Sequence, residues 1–224
     1  MPSLKRDHAM LTIWGRRSSF NVQKVLWLAG ELGLSYEHVL AGGQHGLLDT
    51  PEFLRMNPHG RVPLLREGDT VVWESHAILR YLAARHGAEA FWPADPARRV
   101  RADGWMDWAQ TALQPAFLVG VFWGYYRTPE PQRDLAAIDR ALANTHACLR
   151  QLDAVLATQP YLGGDALTLA DIPAATALYR YYELDIAHAP LPNVRAWYER
   201  LRQRPAYREH VMVPFGELKG RLDF

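Results

Sequence analysis

The sequence has one cysteine, Cys148, in 224 residues. A single thiol excludes an intrachain disulfide and a cysteine-based metal cluster, and it fits a reducing compartment. Neither sign of charge is in excess: 25 Lys and Arg stand against 24 Asp and Glu, a formal net charge of +1. That balance gives no electrostatic reason to expect nucleic acid or an anionic membrane as a partner. No apolar run approaches a membrane span, and the polar opening MPSLKRDHAM does not read as a signal peptide. The expectation is a soluble cytoplasmic protein. Internal repeats, low-complexity tracts and a Gly-rich phosphate loop are also missing, and no His/Asp/Glu grouping has metal-ligand spacing. His59, His76 and His86 therefore read as surface or packing residues. What the chain does have is 49% hydrophobic residues, enough to fill the core of one large domain or two small ones.

The first part alternates in character. MLTIWG (10–15) is a short apolar run stopped by glycine and reads as a strand. FNVQKVLWLAGELG (20–33) places Val22, Val25, Leu26, Leu28, Ala29 and Leu32 at helical spacing, and Gly33 ends it. LSYEHVLA (34–41) reads as a second strand, and TPEFLRMNP (50–58) as a short helix with proline in its first turn. VPLLREGDTVVWE (62–74) folds back around Glu67-Gly68-Asp69 as two strands, and SHAILRYLAARHG (75–87) is again an amphipathic helix. The order β-α-β-α-β-β-α is thioredoxin-like, with a mixed sheet. Residues 9–87 form this domain, 88–95 a proline-bearing linker, and 96–224 an all-helical domain. Helices are expected over 96–126, 131–157, 168–186 and 192–204, with Pro115 as a kink in the first. In TLADIPAA, Thr168 reads as a cap, Asp171 as its partner three residues on, and Leu167 as a staple onto Ile172.

Polar residues gather at three places in the first domain. Ser18, Ser19 and Asn21 stand at the start of the helix 20–33, where capping is their ordinary use. Pro63 opens a strand and so belongs at an edge or turn, leaving the Val62 backbone open to an added peptide strand. Ser75 is placed to cap the helix 75–86; free N–H groups at such an end also bind a carboxylate, and Glu74 beside it suits an ammonium. Together they match the free end of an amino acid. Gly42, Gly43 and Gly46 make a loop whose Gln44 and His45, with Arg61, supply donors for a second carboxylate.

In this order and spacing SSFNVQKVLW, Val62-Pro63, Glu74-Ser75 and LTLADI resemble the cytosolic glutathione transferases over nearly the whole chain. GGQH and PEFLRMNPHGRVPLL look closest to the theta-like and bacterial groups. The resemblance implies an α/β thioredoxin-like domain followed by an all-α domain, with glutathione as co-substrate and no metal. Ser19 matches the hydroxyl of serine-type members that donates to the glutathione sulfur, and Asn21 an asparagine that does so in some bacterial members. Ser18 is a third candidate that falls beside Ser19. Val62 and Pro63 would meet the cysteinyl backbone, Glu74 and Ser75 the γ-glutamyl end, and Gln44, His45 and Arg61 the glycyl end. No tyrosine lies in the first strand or turn, and Cys148 falls in the second domain, so tyrosine-type and cysteine-type mechanisms are excluded. Trp14, Phe117 and Phe122 are the expected walls of a pocket for a hydrophobic electrophile. Homodimers are the family's habit. The alternatives are a glutathione-dependent disulfide reductase or peroxidase without a protein cysteine, and a non-catalytic glutathione-binding regulator.

The chemistry asked of the helix start is modest. A free thiol titrates near ~8.5, and one unit of depression takes ~1.4 kcal/mol of preference for the anion. A hydroxyl or amide donor to an anion contributes roughly 1.5–3 kcal/mol, and a helix N-terminus about 0.3–1 kcal/mol more.

Overall fold

The computed structural model describes residues 10–87 and 89–222. Residue 9, where the first domain was expected to begin, Ala88 in the expected linker, and the last two residues of the second domain lie outside that set.

The first seven elements follow the expected order: β1 Leu11–Trp14, α1 Phe20–Glu31, β2 Tyr36–Val39, α2 Pro51–Met56, β3 Leu64–Glu67, β4 Thr70–Trp73 and α3 Ser75–Arg85. The strands lie in the order β2-β1-β3-β4. β1 runs parallel to β2 and antiparallel to β3, so Trp14 faces Val39 on one side and Leu64 on the other. β1 is buried along its whole length and forms the centre, while β4 is a largely exposed edge. Thr50 caps α2 by accepting from the Phe53 N–H at 3.3 Å, ahead of the first-turn proline.

α1 is the element the periodicity describes least well. The pattern predicts one apolar face, yet Phe20, Val22, Gln23, Lys24, Val25, Leu26, Trp27, Leu28 and Ala29 are all buried. The reason is tertiary: one side packs on the sheet and the other on the helical part of the chain. Trp27 meets Tyr207 edge-on at 4.8 Å. Glu31 accepts from the Trp27 indole at 2.9 Å and, through both carboxylate oxygens, from Arg204 at 2.8 and 2.7 Å. A Cβ on Gly30 would lie 2.9 Å from that of Ala206, so glycine permits this close approach.

The helical part contains α4 Pro96–Trp108, α5 Leu135–Leu156, α6 Ile172–Glu183, α7 Pro192–Arg202 and α8 Pro205–His210. Asp95 and Asp134 cap α4 and α5, accepting from Ala97 N at 3.1 Å and Ala137 N at 2.9 Å. The kinked helix expected over 96–126 is instead α4 continued by π-type turns over 109–113 and 115–127. Pro115 has no N–H to give the ladder, and the wider turns on either side absorb the break.

The start expected at Thr168 is also corrected. Residues 169–171 form a turn, and α6 begins at Ile172. The Thr168–Asp171 pairing survives inside that turn: Asp171 accepts from Thr168 N at 3.0 Å and from Leu162 N at 2.7 Å. One apolar core runs from Leu11 through α1 to Leu218, and a smaller one joins Trp14, Ala41, Phe53 and Leu64 beneath α2.

Candidate functional site

Gly15 is where the site is assembled. Its φ is +148°, and a Cβ there would stand 2.3 Å from Val22 Cγ2 and 3.2 Å from the Val62 Cβ. The bare backbone thus lets the end of β1, the first turn of α1 and the segment before β3 meet. Val62-Pro63 is a cis peptide. Among the described residues the Val62 N–H and C=O make no backbone hydrogen bond, because the β3 ladder starts at Leu64.

The three polar residues at the start of α1 have different surroundings. Ser18 is buried, and its hydroxyl donates to the carboxylate of Glu217 near the end of the chain. Its carbonyl accepts from Arg180 at 2.6 Å. Arg180 is itself buried, 4.6 Å over the Phe122 ring, and burial pushes its pKa down to about 9. Ser19 is the N-cap, with φ −74° and ψ 123°, but its hydroxyl makes no capping bond. It is half-buried and uncommitted. Asn21 lies in the first turn, and its Oδ1 accepts from Lys24 Nζ at 2.9 Å.

Lys24 is 1% exposed and links both parts of the molecule. Besides Asn21 it donates to Gln114 Oε1 at 2.8 Å and lies 3.3 Å from His76 Nε2. Burial pushes its pKa down to about 7, opposed by the charge of Glu74. Glu74 itself is exposed and stands at φ +70°, a conformation uncommon outside glycine. It, rather than Ser75, is the N-cap of α3; Ser75 is the first helical residue and is buried. The first turn of α3 is therefore joined, through His76 and Lys24, to the side chain of Asn21.

On the other side of Gly15, Arg16 packs along Gly42 and Gly43, both at positive φ. Arg16, Gly43, Gln44 and His45 line a cleft with Glu217, Leu218 and Arg221, leaving about 30 Å³, roughly one water's share of liquid volume. Gln44 and His45 both line this cleft, while Arg61 is exposed and not part of its lining. The aromatic expectations need correction. Trp14 belongs to the small core beneath α2, with Arg66 5.3 Å over its ring. Phe117 and Phe122 are buried core residues: Phe117 packs edge-on to Tyr181 at 6.0 Å, and Phe122 stacks on Tyr126 at 5.3 Å.

Sequence reasoning missed Lys24, Arg16, Arg180 and Glu217. The available signal was a charge inside an apolar run, as in NVQKVLW and ALYRYYE.

Two family models match the chain, the N-terminal domain of glutathione S-transferase over residues 9–84 and its C-terminal domain over residues 105–205. The chain belongs to the glutathione S-transferase family. Glutathione S-transferase GstB of Escherichia coli is 45% identical over 207 residues, covering 92% of this chain and 99% of that protein. The theta class glutathione S-transferase of Xanthomonas axonopodis pv. citri, solved with glutathione bound, superposes with a TM-score of 0.87 at 46% identity over 92% of this chain and 99% of that one. The apo form of that transferase superposes with a TM-score of 0.77 at 41% identity, over 92% and 98%. No helix of the described residues is long and apolar enough to cross a membrane.

Proposed function

We propose that this transferase holds glutathione along the Val62 backbone with its sulfur at the start of α1, where Ser19 and Asn21 donate to the thiolate, and that the thiolate attacks a small hydrophobic electrophile. The observation that carries the reading is the junction at Gly15. It joins an uncommitted hydroxyl at a helix N-terminus, a primary amide whose oxygen is already taken, and a strand segment with open backbone groups. Both side chains act by stabilising the anion rather than by taking its proton, since neither is a base at neutral pH.

The γ-glutamyl end belongs at Ser75 and the N-terminus of α3, with the Glu74 carboxylate on its ammonium. Gln44 and His45 take the glycyl carboxylate, and Arg16 joins them as a donor, a reading supported by its place in the lining of the same cleft, from which Arg61 is absent. With Phe117 and Phe122 sealed in the core, the electrophile lies against the half-buried rings that remain beside the 115–127 turns, among them Tyr126. The transferase works as a homodimer in the cytoplasm, and no nucleic acid or membrane takes part. The dimer reading is supported by Leu54, Val71 and Trp73, large apolar side chains exposed on α2 and β4.

The test is a panel assayed with glutathione: an aryl halide, an isothiocyanate, a hydroperoxide and a mixed disulfide. Turnover of the aryl halide or isothiocyanate is the expected result. Turnover of the mixed disulfide alone would move the reading to thiol–disulfide exchange. Absence of saturable glutathione binding by calorimetry would remove it altogether.

A further inference from the structure

We propose that Lys24 is a positioning residue for the thiolate: by occupying Asn21 Oδ1 it fixes the rotamer of that amide so that the Nδ2 donors face the sulfur. The proposal deepens the reading above and rests on it.

An amide side chain has one accepting and one donating end, and only the donating end favours an anion. Left alone at a helix start, Asn21 could turn its oxygen toward the sulfur, which repels a thiolate, or use it as a cap. Lys24 removes that freedom. Its Nζ has three polar neighbours, Asn21 Oδ1 at 2.9 Å, Gln114 Oε1 at 2.8 Å and His76 Nε2 at 3.3 Å. Two of these are oxygens that can only accept. An ammonium donates to all three partners. A neutral amine has two N–H groups for the two oxygens and a lone pair for a His76 N–H. The Asn21 oxygen is therefore an acceptor in either charge state of the lysine.

The arrangement is built rather than incidental. Asn21 and Lys24 are three residues apart on α1 and so neighbours on one face. His76 comes from α3, next to the pair assigned to the γ-glutamyl end, and Gln114 lies between the two π-type segments that continue α4. The Phe20 ring closes the remaining side, with its centroid 4.9 Å from Nζ. Lysine is almost never fully buried without partners, and here the partners are a side chain of the candidate centre, a histidine beside the Glu74-Ser75 pair and a glutamine of the second domain.

The experiment measures thiolate absorbance of the glutathione complex against pH in wild type, Lys24→Met, Asn21→Ala, Asn21→Asp and the Lys24→Met/Asn21→Ala double variant. Wild type is expected to show a depressed thiol titration; if it does not, the underlying glutathione reading fails before Lys24 is at issue. Given that depression, Lys24→Met should raise the titration midpoint by about one unit, the loss of one donor to an anion. The double variant should match Asn21→Ala, because Lys24 acts through Asn21. Asn21→Asp keeps an oxygen for Lys24 but has no N–H, so it should raise the midpoint at least as far as Asn21→Ala. It also serves if Lys24→Met does not fold. A Lys24→Met variant that binds glutathione with an unmoved midpoint overturns the proposal, as does a shift that adds to that of Asn21→Ala. An Asn21→Asp variant with the wild-type titration overturns it too.

Discussion

A histidine shut between a lysine and an arginine has to remain neutral. His76 is 8% exposed, and burial, then the charges of Lys24 and Arg80, push its pKa down to about 2. In the unfolded chain it titrates near ~6.5. Its contribution to stability is therefore present above about pH 6.5 and is lost as pH falls toward the folded value, because the unfolded state takes up a proton that the folded state refuses. One such group steepens the loss by about 1.4 kcal/mol per pH unit at most. Urea unfolding of wild type and His76→Gln at pH 7 and pH 5.5 checks this: the variant should lose less stability across that interval. Equal losses would mean that His76 is protonated in the folded protein. Ser19 and Asn21 were legible as candidates because a helix start is visible in sequence. Lys24 was not, because helical periodicity assigns it no special face; only the packing of a second domain on α1 makes it buried. Trp14, Phe117 and Phe122 misled for a related reason, since an aromatic in a pocket wall and one in a core have the same sequence signature.

At the scale of elements, the turn that leads into α6 depends on one carboxylate. Asp171 is fully buried, and burial pushes its pKa up to about 6 although backbone N–H groups of Leu162 and Thr168 point at it. Replacing it with alanine leaves those two donors without the oxygens they point at. An unmade buried hydrogen bond costs about 1–3 kcal/mol, so Asp171→Ala, which leaves two, should lower stability by about 2–6 kcal/mol. The urea midpoint reads this directly, and a loss under about 1 kcal/mol would show that other acceptors replace the carboxylate. The Thr168–Asp171 spacing was readable, yet the helix begins three residues after the position the sequence suggested for its first turn. The cause is that Asp171 also holds Leu162, a residue nine positions earlier, and that tether keeps 169–171 in a turn. The strands and the order of the first domain were legible because the first three apolar runs end at glycine and the fourth runs into a helix start at Glu74-Ser75. The π-type turns around Pro115 were not, since sequence shows that a ladder must break there but not how the break is absorbed.

The whole molecule is held as one piece through α1. Glu31 with Arg204, Trp27 with Tyr207, and Ser18 with Arg180 all cross from α1 and the turn before it to the helical part, and Arg80 on α3 adds bonds to Asp103 at 2.7 Å and Asp107 at 2.9 Å. The candidate centre lies on that junction, so its donors are set by both parts. The exposed apolar side chains of α2 and β4 bear on the proposed association between chains. Light scattering at micromolar concentration should give twice the chain mass, and Trp73→Glu should shift it toward the monomer; a monomeric wild type would contradict the dimer. Whether Ser19 stabilises the glutathione sulfur as an anion is read from the pH titration of thiolate absorbance in the glutathione complex, comparing wild type with Ser19→Ala. The wild-type thiol midpoint should lie below ~8.5. In Ser19→Ala it should rise by about one unit with glutathione affinity little changed. A wild-type midpoint equal to that of free glutathione, with the peptide saturably bound, would contradict that stabilisation.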